Sequence, residues 1–317
     1  MRIVRQYVDL PAEVRGASLA IGNFDGVHRG HQAVISEAAE AAKRSGGPFG
    51  VLTFEPHPRR FFQPNAPADR LTPFRPKSRA LEALGVEVMA ALHFDAALAA
   101  LSPEEFVDKV LVGGFAVRHV VVGFDFAFGK GRVGNSALLR TLGEAKGFGV
   151  GVVAPVGESN SVFSSTLIRK LLTAGRPEEA AKLLGRPFEI DGHVQHGDAR
   201  GRQIGFPTAN LALGDYLQPA LGVYAVEFGI ERPAGIEWRR GVANLGRRPT
   251  FGKEQVLLEV HVFDFSGDLY GANARVRLIG FLRPERKFAG LDALKAQIAE
   301  DSATARRILA EGRQSSP

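Results

Sequence analysis

Apolar and polar positions follow two different rhythms along the chain, and the change between them falls near Gly185. Before it, short apolar runs precede stretches with helical spacing. Ser18-Leu19-Ala20-Ile21 reads as a buried strand. Val34, Ile35, Ala38, Ala39 and Ala42 then form the stripe of a helix over about 29–45, stopped by Gly46-Gly47. The pattern predicts further strands near 49–53, 86–92, 120–122 and 150–153, and a helix near 77–84. Ser102-Pro103-Glu104-Glu105 carries the capping-box signature of another helix start. Strands alternating with helices imply an α/β domain whose parallel sheet is covered on both faces.

After Gly185 the helical spacing fades. Runs at 222–226, 256–265 and 274–278 are β-rich, with Gly, Pro, Asn and Asp between them. That texture predicts an antiparallel β-barrel. A final helical stretch starts near Leu291, with a break expected at Asp301-Ser302. The turn-like Leu184-Gly185-Arg186-Pro187 sets the expected boundary between domains 1–183 and 184–317. The tail 312–317 is expected to be disordered.

Composition narrows the class. Apolar residues make up 45% and charged residues 23% of the 317, which suits two globular domains with real cores. No run of eighteen apolar residues and no apolar leader is present, so neither a membrane span nor secretion is expected. Cysteine is absent, which excludes disulfides and thiolate metal sites. A cytoplasmic enzyme is the resulting expectation. The net charge of +6 favours anionic ligands. The Arg and Lys residues are scattered, so small phosphorylated ligands are expected, with no nucleic acid and no membrane partner. Weak or transient self-association is left open.

The strongest local signal is Gly22-Asn23-Phe24-Asp25-Gly26-Val27-His28-Arg29-Gly30-His31, between a strand and an amphipathic helix. His28 and His31 share a face at a helix start, where free N–H groups and the positive dipole end gather. Gly30 leaves room for a phosphate beside the backbone. The arrangement suits charge stabilisation during nucleotidyl transfer, and it resembles the HxGH nucleotidyltransferase superfamily. Gly22, Phe24 and Asp25 belong to the same candidate nucleotide site. Ser164, Ser165 and Thr166 cluster at a second helix start, and Arg169 adds a fork-shaped cation for phosphate. Two further segments are candidate flavin or adenine contacts: Phe54 and His57 in Thr53-Phe54-Glu55-Pro56-His57-Pro58, and Asp125 and Phe128 in the loop after 120–122. Gly129, Gly131 and Gly134 match a dinucleotide fingerprint only by spacing, because that motif should turn directly from strand to helix.

No GxxxxGK[ST] phosphate loop occurs. Instead Gly197, Gly201 and Gly205 recur every four residues, with Arg200 and Arg202 among them. Such a loop can wrap a polyphosphate. Thr208 and Asn210 offer neutral oxygens two residues apart, suited to Mg²⁺ with ATP phosphates. Glu259, an acid in an otherwise apolar run, is the candidate general base. Asn244-Leu245-Gly246-Arg247-Arg248-Pro249-Thr250-Phe251 reads as a turn-rich loop beside it.

Taken together, GNFDGVHRGH, SSTLIR, GFPTAN and NLGRRPTF resemble the bacterial bifunctional riboflavin kinase/FMN adenylyltransferase family, the FAD synthetases, from about Leu19 to Arg306. The resemblance implies a Rossmann-like adenylyltransferase domain followed by a six-stranded kinase barrel. It implies phosphorylation of riboflavin to FMN, then adenylylation of FMN to FAD with release of pyrophosphate. Thr208 and Asn210 align with the family's Mg²⁺–ATP residues and Glu259 with its base. His28, His31, Ser164, Ser165, Thr166 and Arg169 align with its nucleotide contacts. Phe281–Arg306 looks like its closing helical region, with Arg283, Glu285 and Phe288, and Arg283 is a candidate flavin contact. No protein nucleophile is expected. Two other readings are a transferase of the same superfamily with another acceptor, and a basic RNA-binding barrel. The first leaves the second half unexplained, and the second lacks a basic–aromatic stripe.

Overall fold

The computed structural model describes residues 1–158, 161–195, 206–250 and 253–311, without the side chains of 248–250 and 253–255. Gly197, Arg200, Gly201, Arg202, Gly205 and the tail 312–317 lie outside the described residues. The chain forms two compact units, 1–67 with 72–164, and 68–71 with 165–317.

The first unit is built on six parallel strands: β1 (Arg2–Val4), β2 (Ser18–Ile21), β3 (Phe49–Glu55), β4 (Val88–His93), β5 (His119–Gly123) and, after two short strands, β8 (Gly149–Val153). The short strands β6 (Ala127–Phe128) and β7 (Gly134–Asn135) pair with each other, as do β9 (Gly157–Glu158) and β10 (Ser161–Val162). The helices are α1 (Arg29–Ser45), α2 (Pro58–Phe62), α3 (Phe74–Ala83), α4 (Ala96–Ala99), α5 (Pro103–Phe106), which continues as a π-helix to Gly114, and α6 (Ser136–Lys146). Every residue of β2 is buried, as a strand covered on both faces requires. The expected capping box at Ser102 and Glu105 is present.

Strand order is β1-β4-β3-β2-β5-β8. From β2 the chain runs outward through β3 and β4, then returns to the other side of β2 as β5. The order therefore reverses between β2 and β5. Open α/β sheets bind ligands at such a switch point, outside the carboxyl ends of the strands. The turn starting at Gly22 and the loop starting at Gly123 both leave the sheet there.

The second unit contains α7 (Ser165–Thr173), α8 (Pro177–Leu184), strands β11 (Phe188–His193), β12 (Ala209–Ala212), β13 (Gly222–Arg232), β14 (Gly235–Thr250), β15 (Lys253–Val262) and β16 (Asn273–Pro284), and the terminal helix α9 (Leu291–Glu311). The strands form an antiparallel sheet in the order β11-β16-β13-β14-β15-β12. A bridge between Gln195 and Asn210 links its two edges. One face packs Ile190, Leu211, Tyr224, Val226, Leu258 and Val260 with Ile168, Leu172 and Leu184 of α7 and α8. The other packs Val223, Ala225 and Val242 with Ala305 and Leu309 of α9. Burial raises the phenol pKa of Tyr224, whose hydroxyl donates to Ala220 O at 2.5 Å. The change of texture at Gly185 is thus the change from helices to barrel strands, while the compact units divide at Ser164/Ser165.

Two local expectations are corrected. The terminal helix runs unbroken through Asp301-Ser302. Ser302 Oγ donates back to Ile298 O at 2.7 Å, and Asp301 is held by Arg283, whose Nη2 lies 2.7 Å from Oδ2. Residues 244–250 form the end of β14, not a loop, because each pairs with β15. Asp301 is 6% exposed and also accepts from Gln297. Asp301→Ala leaves the Arg283 guanidinium without its carboxylate and is expected to destabilise the second unit by about 3 kcal/mol. Urea unfolding checks this.

Candidate active sites

The first site starts where β2 ends. Phe24 and Val27 hold left-handed backbone conformations at φ 48° and 44°, uncommon for such residues. Tertiary hydrogen bonds hold this turn. Asn23 O accepts from Thr53 Oγ1 at 3.2 Å and from Lys77 Nζ at 2.9 Å. Asp25, 2% exposed, accepts from Thr72 N at 3.0 Å, and Gly26 N donates to Thr72 Oγ1 at 2.8 Å. Asp25 therefore shapes the turn through its carboxylate.

His28 is the N-cap of α1, its Nδ1 accepting from His31 N at 3.3 Å. An accepting Nδ1 puts the proton of a neutral ring on Nε2, where it can be donated. The His28 and His31 rings stack with centroids 3.6 Å apart, and Phe24 meets His31 edge-on at 5.3 Å. Gly30 keeps this geometry open, since a Cβ there would sit 3.1 Å from the His28 ring and 3.4 Å from Phe163 O. A Cβ at Gly22 would press on the Phe24 ring at 3.2 Å. The result is two imidazoles at the positive end of a 17-residue helix.

His57 repeats the device. It caps α2, with Nδ1 accepting from Arg59 N at 3.1 Å, so its donor is also Nε2. As β3 lies parallel beside β2, Phe54 and His57 leave the same sheet edge as Gly22. Phe54 joins an aromatic cluster with Phe61, Phe62 and Phe94, its ring centroid 5.7 Å from that of Phe94. Phe62 is 65% exposed, which is unusual for so large an apolar ring. Phe61, Phe62 and Phe94 were not singled out from the sequence; Phe61 and Phe62 had the signal of following the His57 cap, whereas Phe94 reaches the cluster only through the fold. Across the switch point Asp125 is exposed, while Phe128 is buried and stacks on Phe126 at 5.4 Å. Gly129–Gly134 forms a 3₁₀ turn and a short strand, which bears out the rejection of a dinucleotide fingerprint. Ser164 ends the first unit, and α7 starts at Ser165 in the second. Within the second unit Arg169 Nε donates to Asp69 O at 2.8 Å.

The second site is a row across the barrel. Directly opposed residues of antiparallel strands point to the same face. Asn210 opposes Glu259, Glu259 opposes Asn244, Asn244 opposes Val223, and Val223 opposes Arg283. The candidate metal residue, the candidate base and Arg283 therefore share one face. Asn244, which the sequence reading assigned to a loop, stands beside the base. Arg283 is turned toward α9 by Asp301, with its guanidinium 5.7 Å from the Phe288 ring. Gly246 permits close approach of Glu285, whose Oε1 would lie 2.3 Å from a Cβ there.

Thr208 and Asn210 line a small, open cleft with Val194, Val260, Asp268 and Tyr270. His261 Nδ1 donates to Pro207 O at 3.0 Å, because a carbonyl can only accept, and so fixes the approach to Thr208. No carboxylate- or histidine-rich metal cage is found among the described residues. A hydroxyl and an amide oxygen suit a hard cation that keeps waters and takes substrate phosphates as its other ligands.

Comparison with known proteins settles the family. Residues 10–167 match the FAD synthetase family model and residues 184–309 the riboflavin kinase model. A bifunctional riboflavin kinase/FMN adenylyltransferase of Pseudomonas fluorescens is 44% identical over 98% of both chains. The chain belongs to that family. The Escherichia coli K12 member is 42% identical over 97% of this chain and 98% of its own, and the Bacillus subtilis member 40% over 93% of each. A crystal structure from Streptococcus pneumoniae, described as a macrolide-efflux protein, has a TM-score of 0.85 and 33% identity, covering 96% of this chain and 98% of its own. That description differs in kind from the family's, and among the described residues no helix is long and apolar enough to cross a membrane. Both family models and the family's named members support two activities in FAD biosynthesis, a riboflavin kinase and an FMN adenylyltransferase.

Proposed function

We propose that this member of the family makes FMN and FAD from riboflavin by two ATP-dependent transfers, the kinase step in 184–317 and the adenylyl step in 1–183. One observation carries the reading. A single chain holds stacked imidazoles at a parallel-sheet switch point and a carboxylate opposite an amide across a barrel face.

In the kinase step the ribityl hydroxyl of riboflavin attacks the γ-phosphorus of ATP. The new O–P bond forms as the bond to ADP breaks, and Glu259 takes the hydroxyl proton. Thr208 and Asn210 are the residues that would hold Mg²⁺, which supplies charge neutralisation on the phosphates when bound. Gly197 and Gly205 are assigned to the polyphosphate by the four-residue spacing of the glycine loop, and Arg202 by its charge within it. Asn244, beside Glu259, and Arg283, braced by Asp301, frame the flavin side of the row.

In the adenylyl step a phosphate oxygen of FMN attacks the α-phosphorus of ATP and pyrophosphate leaves. His28 and His31 donate to the phosphate oxygens on which charge grows. Gly22, Phe24, Asp25 and Gly30 give the turn its shape, and Ser164, Ser165, Thr166 and Arg169 keep the nucleotide roles that the resemblance assigns them. The exposed ring of Phe62 and its neighbours Phe54 and His57 offer a stacking surface for an isoalloxazine, with Asp125 and Phe128 across the switch point. The transfer is direct, so no side chain is covalently modified.

Purified protein with riboflavin and Mg-ATP is expected to yield FMN and then FAD, resolved by chromatography. Chelation of Mg²⁺ with excess EDTA is expected to stop FMN formation. FMN formation that persists under chelation counts against the Thr208–Asn210 assignment.

A further inference from the structure

We propose that Lys77 is a positioning residue of the adenylyl-transfer site, fixing the Gly22–His28 turn and the end of β3 to each other; this rests on the function proposed above. Lys77 sits on α3, and its side chain is 0% exposed. Lysine is almost never buried this completely unless its ammonium is paired. Here Nζ lies 2.9 Å from Asn23 O and 3.1 Å from Glu55 Oε1. Glu55 is also largely shielded, at 15% exposure.

The two partners belong to the two arms of the site. Asn23 opens the turn that delivers His28 and His31, and Glu55 ends β3 two residues before His57. An apolar side chain of similar length would fill the same space without the desolvation of a cation. What the cation adds is a donor reaching both arms at once. The turn needs such a hold, because Phe24 and Val27 occupy left-handed conformations that persist only where the surroundings over-determine them. Thr72 holds its far side through Asp25 and Gly26. Fully buried, Lys77 does not touch a nucleotide, so its influence passes through the arms. Nothing in the sequence marked it: a lysine in the first turns of an amphipathic helix reads as solvent-facing. Its i+4 neighbour Leu81 is equally buried, which shows that this is the inward face of α3.

The test uses the full chain with K77M and the double variant E55Q/K77M. Both steps are assayed separately, and melting is followed for each protein. K77M is expected to lower kcat/KM for FAD formation about 100-fold, the scale of an ångström-sized misplacement of reacting groups. FMN formation, carried by the other unit, is expected to stay within about twofold. The double variant also removes the shielded negative charge that faced Lys77 and is expected to melt above K77M while its FAD formation stays equally low. Should K77M fail to fold, the double variant alone gives the answer. If FAD formation returns as melting recovers, Lys77 acts only on stability and the proposal is overturned. Failure of the unaltered chain to form FAD from FMN removes the functional reading itself, which the unaltered control reports separately from the variants.

Discussion

Glu259→Ala is expected to slow the conversion of riboflavin to FMN about 10²- to 10⁴-fold, the range of a lost general base. FAD is expected to form from supplied FMN at close to the unaltered rate. Strand neighbours Leu258 and Val260 are fully buried in the barrel core, so alternation puts Glu259 on the opposite face. That face is where Asn210 lies across one strand boundary and Asn244 across the other. Truncation to Ala removes no core contact on the inner face, and the backbone ladder that pairs β15 with both neighbours is unchanged. Loss of activity with an unaltered melting temperature therefore reads as chemistry, not folding. Glu259→Gln, which keeps the shape and removes the proton acceptor, is expected to be as inactive as Ala. Chromatographic assay of each step on its own decides the matter. A variant that still makes FMN but no longer converts it to FAD overturns the assignment of the steps to the two halves.

The sheet of the first unit was legible because burial on both faces writes itself as continuous apolar runs such as Leu19–Ile21 and Val120–Val122. Caps were legible where the chemistry is local: Ser102 with Glu105, and Gly46 closing α1. What local pattern could not show was pairing at a distance. Asn244 looked like part of a loop because Gly246 and Pro249 are turn formers, yet the chain there is held by β15. Asp301-Ser302 looked like a break because both residues compete for backbone in isolation. In the fold Arg283 takes the carboxylate, and the hydroxyl bonds within the helix. Lys77 is the extreme case, since its partners stand 22 and 54 residues away. His28 was found from spacing, but its ring protonation was not, because that depends on which nitrogen serves as the cap.

That capping geometry sharpens the test of the first site. His28 holds α1 by accepting from the backbone N–H of His31, not from its side chain. His31→Ala keeps that N–H, so the cap survives while the stacked imidazole is lost. FMN-to-FAD conversion is expected to fall about 10²- to 10³-fold, as when one donor to developing charge is removed. The fall is expected in kcat, with KM for FMN little changed, because the donor acts on charge that grows in the transition state. Riboflavin phosphorylation is expected to proceed as before. His28→Ala differs, since it also removes the cap and adds a stability loss of about 1 kcal/mol. His28→Asn restores a cap acceptor without an Nε2 donor. It is expected to melt like the unaltered chain and to be as slow as His28→Ala. FAD production unchanged in His31→Ala would remove the imidazole pair from the chemistry and leave it as a helix start.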